Sequence, residues 1–315
     1  MENIENARLL VEVAHMYYEE NLKQSEIAKK LNISRSLVSR YLTKAREEKI
    51  VQFVIHDDFF NPHYKLEQNI KEKFKLKNVI CINSNNDRII QKQRVAEAAS
   101  KYLIQQIKKD TIVTVAGGTT INKIAESIVP STAVSGPTFV SLVGGIEEEH
   151  RNIQSNVVCD ELALKTNGIS KPLYAPVIVD SVEAKEIFVK QTYIKKVINL
   201  AKKADIALLG IGGHPENSSI ANAYKNHLKT QKDFDTSTIV GDFCYKFIDE
   251  FGNLVDCEWN KRLISLDIEY IKKIPNVIGI VEGIDKKQSI LAVLNAELID
   301  SLIIDENTAT EILNT

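Results

Sequence analysis

One short segment has the residue types of an anion site. The apolar run TIVTVA (residues 111–116) leads into Gly117–Thr120 (GGTT), and a helical pattern starts near Ile121. Glycines let the backbone approach an anion, hydroxyls can donate hydrogen bonds, and a helix N-terminus adds free N–H groups and a favourable dipole. The segment predicts a phosphate site, with a purely structural turn as the alternative.

Three further loops after apolar runs carry polar side chains. Gln154 and Asn156 follow the glycine pair 144–145 and could hydrogen-bond sugar hydroxyls. His214 follows another glycine pair and could act as a general base, but the sequence fixes no partner for it, so a turn histidine is the alternative. Lys286, close to Gly283 at a predicted helix start, is a candidate second phosphate contact.

Positive charge is concentrated near the N-terminus. The segment 21–46 holds seven basic residues and one acid, a local charge of +6, whereas the whole chain carries −2. Affinity for DNA comes largely from neutralising backbone phosphates, so such a segment suits a DNA contact surface. A solvated helix face explains the charge alone equally well.

The apolar pattern within this region favours the DNA interpretation. Three amphipathic stripes predict three helices, of which the last two are short. The first stripe comprises Leu10, Val11, Ala14, Tyr17 and Tyr18, the second Ile27, Ala28 and Leu31, and the third Leu37, Val38, Tyr41, Leu42 and Ala45. Asn32 tolerates the left-handed backbone of a tight turn, and Ser34 is a good N-cap. The pattern predicts a helix-turn-helix whose last helix presents a polar, basic face to the major groove.

The remainder alternates helical patterns with short apolar runs rich in β-branched residues. These runs are NVICI, TIVTVA, PTFVSLV, APVIV, ADIALLGI, NVIGIV and SLIID. Continuous apolar strands separated by helices indicate a mainly parallel α/β sheet covered on both faces, with ligands bound at the carboxyl ends of its strands. We therefore predict an all-α helix-turn-helix domain over residues 1–56 and an α/β effector domain over 57–315.

Composition excludes several classes of protein. A hydrophobic share of 44% and a charged share of 26% are those of a globular chain rather than a fibrous one. Apolar runs such as IALLGI stop far short of the ~20 residues of a membrane span. The N-terminal stretch lacks the build of a secretory signal, so we expect a cytoplasmic protein that does not bind membranes. Four scattered cysteines indicate neither a zinc site nor a disulfide framework.

The quoted segments resemble a known family. QSEIAKKLNISRSLVSRYLTKAREEKIV (residues 24–51) is similar to the DNA-binding segment of the SorC family of bacterial sugar-responsive transcriptional regulators. VTVAGGTTINKIAESI, IQSN, ALLGIGG, VGDFCYKFIDEFGNLVD and the segment from IPNVIGIVEG onward resemble its effector domain, which looks like the sugar-phosphate isomerase fold. The resemblance covers nearly the whole chain in the family's order.

The resemblance implies a regulator, most often a repressor in this family, of a carbohydrate-metabolism operon. Its partners would be operator DNA, a phosphorylated sugar and further copies in a homotetramer, with no cofactor, no metal and no catalysis. The implied DNA contacts are Gln24, Ser34, Arg35, Ser36, Ser39, Arg40 and Lys44. The implied effector contacts are Gly117, Gly118, Thr119, Thr120, Gln154, Gly212, Asp242, Gly283 and Lys286.

One alternative and three departures accompany this expectation. The alternative is an isomerase-like enzyme with an accessory N-terminal domain, but no motif anchors the acid/base pair it needs. Asn32 stands where the family often has glycine. Glu282 replaces the first of two glycines and adds a negative charge beside the predicted anion site. Leu142 and Val143 stand where some relatives have a Schiff-base lysine, so we expect no covalent adduct.

Overall fold

The computed structural model describes residues 2–51, 61–130, 136–147, 150, 153–225, 228 and 235–315, with side chains from residue 8 onward. The chain divides into two compact units, Met1–Asn61 and Pro62–Thr315. The predicted boundary after residue 56 lies outside the described residues and stays a prediction. No helix in the described ranges is long and apolar enough to cross a membrane.

The first unit contains three helices, α1 (Glu2–Tyr18), α2 (Gln24–Lys30) and α3 (Arg35–Glu47). Their apolar stripes meet in a small core in which Val13, Ile27 and Val38 are completely buried. Asn32 has φ 51°, the left-handed conformation that lets the chain turn between α2 and α3. The predicted three-helix arrangement is therefore confirmed.

The second unit is built on a nine-stranded sheet. Its strands are β1 (Asn78–Ile82), β2 (Ile112–Val115), β3 (Thr138–Ser141), β4 (Ile169–Lys171), β5 (Ile206–Gly212), β6 (Gly241–Phe243), β7 (Lys246–Ile248), β8 (Asn276–Ile280) and β9 (Ser301–Asp305). Seven strands lie in the order β1-β9-β8-β5-β2-β3-β4, and every pairing among them is parallel. The hairpin β6–β7 joins the end of β5 in antiparallel fashion.

Helices cover both faces of this sheet. They are α4 (Tyr64–Phe74), α5 (Arg88–Gln106), α6 (Thr119–Ser127), α7 (Ser155–Lys165), α8 (Val182–Lys190), α9 (Thr192–Ala201), α10 (Ser219–Ala223), α11 (Glu258–Arg262), α12 (Ile268–Ile271), α13 (Lys287–Asn295) and α14 (Glu306–Leu313), with a 3₁₀ turn at Ile284–Lys286. Side chains of one strand alternate between two apolar layers: Leu208 packs in the layer of α5, α6 and α7, whereas Leu209 packs in that of α4, α9 and α13. The predicted α/β class is confirmed.

The expected strand APVIV is wrong. Residues 175–179 make only isolated bridges, Gly145 with Pro176 and Ile178 with Leu263, and the edge strand β4 lies earlier, at Ile169–Lys171. Proline has no N–H to donate to a ladder, so Pro176 prevents regular pairing there.

Candidate functional site

Helix α3 carries the candidate DNA contacts. Ser34 caps it, its Oγ accepting a hydrogen bond from the Leu37 N–H at 3.1 Å. Val38, Leu42 and Ala45 are buried, which leaves the opposite face of the helix in solvent. The predicted contact residues on that face are all exposed, namely Ser34, Arg35, Ser36, Ser39, Arg40 and Lys44. The packing thus presents the predicted face outward.

The candidate DNA contacts differ in ion pairing and in exposure. Lys44 Nζ lies 3.5 Å from Glu48 Oε1, whereas Arg35 and Arg40 make no ion pair within the part of the chain that the structure describes. Gln24, the first residue of α2, is half-buried. The two arginines are therefore available to an anionic partner, whereas Lys44 is partly neutralised by Glu48.

A cavity of about 860 Å³ lies at the carboxyl ends of β1, β2, β5, β8 and β9. Eight of the nine predicted effector contacts line it: Gly117, Gly118, Thr119, Thr120, Gly212, Asp242, Gly283 and Lys286. Loops far apart in the chain meet here because all five strands run parallel and end at the same edge. The sheet therefore assembles one site from the separate predicted loops.

The glycines of the GGTT segment are required by close packing. The Tyr245 hydroxyl donates to the Ile153 carbonyl at 2.6 Å, and this pair occupies the space that a Cβ at Gly117 would need. Gly118 has φ 125°, a conformation that other residues rarely adopt, and its N–H donates to the same carbonyl at 3.0 Å. Helix α6 begins at Thr119, so both threonines lie in its first turn, which has no side-chain cap. Its amino end is thus presented to the cavity.

The hydroxyls of this turn are already engaged by charged side chains. Thr120 Oγ1 donates to both carboxylate oxygens of Glu282 at 3.2 Å, and Lys92 Nζ donates to Thr119 Oγ1 at 3.0 Å. Lys92 Nζ and Lys286 Nζ lie 3.7 and 3.9 Å from Glu282 Oε1. Two lysines and a helix N-terminus therefore converge on one carboxylate.

Asp242 forms the buried acidic part of the cavity. It lies on β6 opposite Gly212 on β5, and its Oδ2 accepts a hydrogen bond from Ser218 Oγ at 2.8 Å. Burial raises the pKa of Asp242 to about 6, although the Ser218 hydroxyl and the charge of Lys286 act in the opposite direction. The group can thus donate or accept a hydrogen bond near neutral pH.

The β6–β7 turn that follows Asp242 is strained. Cys244 and Tyr245 are its two central residues, with φ of 56° and 65°, where a tight hairpin normally has asparagine or glycine. Both residues line the cavity. Burial raises the pKa of the Tyr245 hydroxyl well above its ordinary value, which keeps it a donor to Ile153. The turn therefore connects Asp242 to the GGTT segment, because Tyr245 packs against Gly117.

Asp305 connects the loops on the other side of the cavity. Its carboxylate accepts hydrogen bonds from Ser84 Oγ at 3.1 Å, the Gly283 N–H at 3.0 Å and Thr308 Oγ1 at 2.7 Å. The loops after β1 and β8 are thereby fixed to the end of β9. Asp305 was not predicted, although its place at the end of SLIID before a helix is the signal of an N-cap.

Three residues singled out from the sequence, Gln154, Asn156 and His214, do not line the described part of the cavity. The side-chain amide of Asn156 pairs with the main chain of Leu173, at 2.8 Å to its N–H and 3.2 Å to its carbonyl. The side-chain amide of Gln154 pairs with the main chain of Ile146, at 2.7 Å to its N–H and 3.2 Å to its carbonyl, and does not line the described part of the cavity. His214 is also absent from the described lining, and its Nδ1 lies 3.8 Å from Glu216 Oε2. The sugar contact of Gln154 therefore stays a prediction without geometric support.

All four cysteines are free thiols. Cys81, Cys159 and Cys244 are buried and Cys257 is half-buried, and burial raises the pKa of each thiol above its ordinary value. Within the described ranges, no three histidine, cysteine or acidic residues are grouped so that they could hold a metal ion.

Comparisons with known proteins agree with this architecture. Residues 59–314 match the family model described as "Putative sugar-binding domain", and residues 12–48 match that of sigma-70 region 4. The chain is 29% identical over 312 residues to the deoxyribonucleoside regulator of Bacillus subtilis, with 98% of each chain covered. It is 26% identical over 318 residues to the sorbitol operon regulator of Klebsiella pneumoniae, with 99% of this chain and 100% of that one covered.

A solved structure shares the fold over both units. The crystal structure of the full-length sorbitol operon regulator SorC from Klebsiella pneumoniae aligns with a TM-score of 0.76 at 24% identity, covering 98% of each chain. Together these findings define the class: the protein is a DNA-binding transcriptional regulator of sugar metabolism. The chain belongs to the family of this sugar-binding domain, and its predicted membership of the SorC regulators is confirmed.

Proposed function

We propose that α3 reads operator DNA from the major groove. Arg35 and Arg40 would reach base edges or phosphates together with Ser36 and Ser39, whereas Lys44 would contact the backbone. The support is the exposed face of α3, on which the two arginines have no described ion-pair partner. The regulator acts as a repressor in this proposal.

We further propose that the cavity binds a phosphorylated sugar. The observation that carries this proposal is the convergence of Thr119, Thr120, Lys92 and Lys286 at one end of the cavity that also holds Asp242. Threonine hydroxyls, lysines and a helix N-terminus suit a phosphate, and a buried carboxyl suits sugar hydroxyls. Two relatives carry the names deoxyribonucleoside regulator and sorbitol operon regulator.

The two sites would communicate by linkage. An effector that binds one arrangement of the subunits better than another changes the population of that arrangement, and hence the spacing of paired α3 helices. Helix-turn-helix proteins read half-sites one or more DNA turns apart, so the proposal requires at least a dimer, and we propose a homotetramer in the cytoplasm.

A thermal-shift screen tests the effector assignment. The full chain is heated with ribose 5-phosphate, glucose 6-phosphate and fructose 6-phosphate, and separately with the three unphosphorylated sugars. A ligand that binds only the folded state raises the melting temperature. We expect a shift confined to phosphorylated sugars and lost in the double variant Thr119→Ala/Thr120→Ala. A shift given only by the free sugars contradicts the phosphate assignment.

The isomerase alternative gains no support from the geometry. His214, the candidate base, does not line the described part of the cavity, and Glu282 is held by Thr120 and two lysines. A turnover assay with the same sugar phosphates should show no isomerisation. A measurable rate abolished by Asp242→Asn would revive the alternative.

A further inference from the structure

Glu282 occupies the place where the proposed effector phosphate would bind. Its carboxylate accepts from Thr120 Oγ1 and lies within 4 Å of the ammonium groups of Lys92 and Lys286. Its side chain is only 12% exposed, so solvent screens these charges weakly. Three elements, α5, α6 and the 3₁₀ turn after β8, thus converge on a single carboxylate.

Glu282 weakens the attraction of this cluster for a second anion. Two lysines and one carboxylate leave a net charge of +1, against +2 without Glu282, and the hydroxyl of Thr120 already has an acceptor. A dianionic phosphate on the Thr119–Thr120 turn would lie a few ångströms from a like charge, which is unfavourable at a partly buried site. A phosphate bound to Thr120 and the two lysines therefore competes with the Glu282 carboxylate for the same partners.

We propose that Glu282 is an internal competitor of the effector's phosphate. This inference rests on the proposed function, and it adds a regulatory consequence: the carboxylate raises the effector concentration at which the regulator responds. The free energy needed to release Glu282 is subtracted from the binding free energy of every phosphorylated ligand. The cluster therefore sets the effector concentration at which the regulator responds.

Calorimetric titration with inorganic phosphate and with glucose 6-phosphate tests the competition. Glu282→Gln removes the charge at nearly constant size, and Glu282→Gly also removes the bulk. We expect both variants to bind both probes about tenfold more tightly or better, in line with the loss of a like charge near the ligand. The matched control is Glu311→Gln, which removes a carboxylate 3.2 Å from Lys287 Nζ outside the cavity lining and should bind as the wild type does.

The outcomes separate this inference from the proposed function. Equal or weaker phosphate binding by the Glu282 variants overturns the competitor role, while binding by the wild type leaves the phosphate assignment standing. An equal gain in Glu311→Gln also overturns it, because a general charge effect would then suffice. Failure of every variant to bind either probe overturns both proposals.

A second observation, independent of Glu282, concerns Gln91 on α5. This residue lines the cavity and is only 6% exposed. The Asn85 N–H donates to Gln91 Oε1 at 2.5 Å, which fixes the orientation of the amide. Nε2 is then a donor, and it has no hydrogen-bond partner among the described residues. Buried donors are rarely left unpaired without a reason.

Nε2 itself has almost no accessible surface in this structure. We propose that effector binding uncovers Gln91 Nε2, which then donates to an oxygen of the bound sugar phosphate, and this again rests on the proposed function. Gln91→Glu keeps an acceptor for Asn85 but loses the donor, and Gln91→Met loses the donor without adding charge. We expect both to weaken binding of the sugar phosphates in the thermal-shift set by about tenfold, the cost of one hydrogen bond to a charged ligand.

The control for Gln91 is Gln93→Met, because Gln93 is two residues away on α5 and its amide donates to Glu97 at 2.6 Å outside the cavity lining. Its affinity should equal that of the wild type. A Gln91→Met variant that melts at a lower temperature but binds normally shows a structural role and overturns the assignment. Normal binding by Gln91→Met with weakened binding by Gln91→Glu also overturns it, because charge alone would then explain the loss.

Discussion

Gly212 and Asp242 face each other across the antiparallel pairing of β5 and β6, and the Asp242 carboxylate lies where a Cβ at position 212 would be. The absence of a side chain at Gly212 is therefore the condition for burying Asp242 beside Ser218. A glycine on a strand and an acid 30 residues later thus form one structural unit of the cavity.

Gly212→Ala should destabilise the second unit and disturb the cavity. The added methyl overlaps the Asp242 carboxylate, and overpacking of this kind costs about 1–3 kcal/mol in the free energy of unfolding. Urea unfolding of the full chain measures the loss. Gly210→Ala on the same strand is the control, because its Cβ would lie 3.7 Å from Ile121, an ordinary contact. Equal losses in the two variants would show that the Asp242 overlap is not the cause.

The buried Asp242 predicts a pH dependence of stability. Its pKa is about 6 in the folded chain against an ordinary value of 3.8, so between these values the folded chain retains a proton that the unfolded chain has released. The contribution of this group to the free energy of unfolding is therefore full at low pH and is lost as the pH rises through about 6, a change of about 2–3 kcal/mol.

Comparison with Asp242→Asn isolates this term, because all other groups titrate in both proteins. Relative to the wild type, the variant should gain stability between pH 4.5 and 7.5. Urea unfolding at several pH values across this range measures the difference. Parallel stability profiles for the two proteins would show that Asp242 is ionised in both the folded and the unfolded chain.

The location of the cavity follows from a general rule, whereas its charged contacts do not. Parallel strands gather their following loops at one edge, which correctly brings Gly117, Gly212 and Gly283 together. Lys92 and Gln91 were missed because they lie on α5, where nothing in the sequence separates a cavity residue from a solvent-exposed one. The packing of α5 beside α6 determines their approach to Thr119.

The same rule, applied to every strand, also predicts cavity residues beyond those named in the sequence analysis. The loop residues 84–86 follow β1 and Asp305 ends β9, so both lie at the edge that carries the cavity. Gln154 shows where the rule predicts a cavity residue wrongly. It follows a strand-end loop as expected, but its side-chain amide forms hydrogen bonds with the main chain of Ile146, a local contact that spacing along the chain does not reveal.

Asn32 predicts an asymmetry between two substitutions in the helix-turn-helix. At φ 51°, a residue with a Cβ is strained, and asparagine is tolerated because its side chain is short and polar. Asn32→Ala should therefore lower stability by about 1 kcal/mol, whereas Asn32→Gly should be neutral within about 0.5 kcal/mol. Calorimetric unfolding of the full chain distinguishes them. Equal effects of alanine and glycine would mean that the backbone at this turn is not left-handed.

Arg40 and Lys44 should affect DNA binding in different ways. Arg40 is exposed with no described ion-pair partner, whereas Lys44 lies one turn further along α3 beside Glu48. Arg40→Ala should weaken binding to an operator fragment enriched by selection from genomic DNA by about 1–3 kcal/mol, with a smaller loss on random duplex. Lys44→Ala should weaken both duplexes equally and reduce the slope of log K against log salt by about 0.9.

Gel-shift titrations at several salt concentrations measure both effects on DNA binding. Sugar phosphate binding is the internal control and should be unchanged in both variants, because neither residue lines the effector cavity. If Arg40→Ala weakens operator and random duplex equally, Arg40 contacts only phosphates. Sequence reading would then fall to the other exposed residues of α3, Arg35, Ser36 and Ser39.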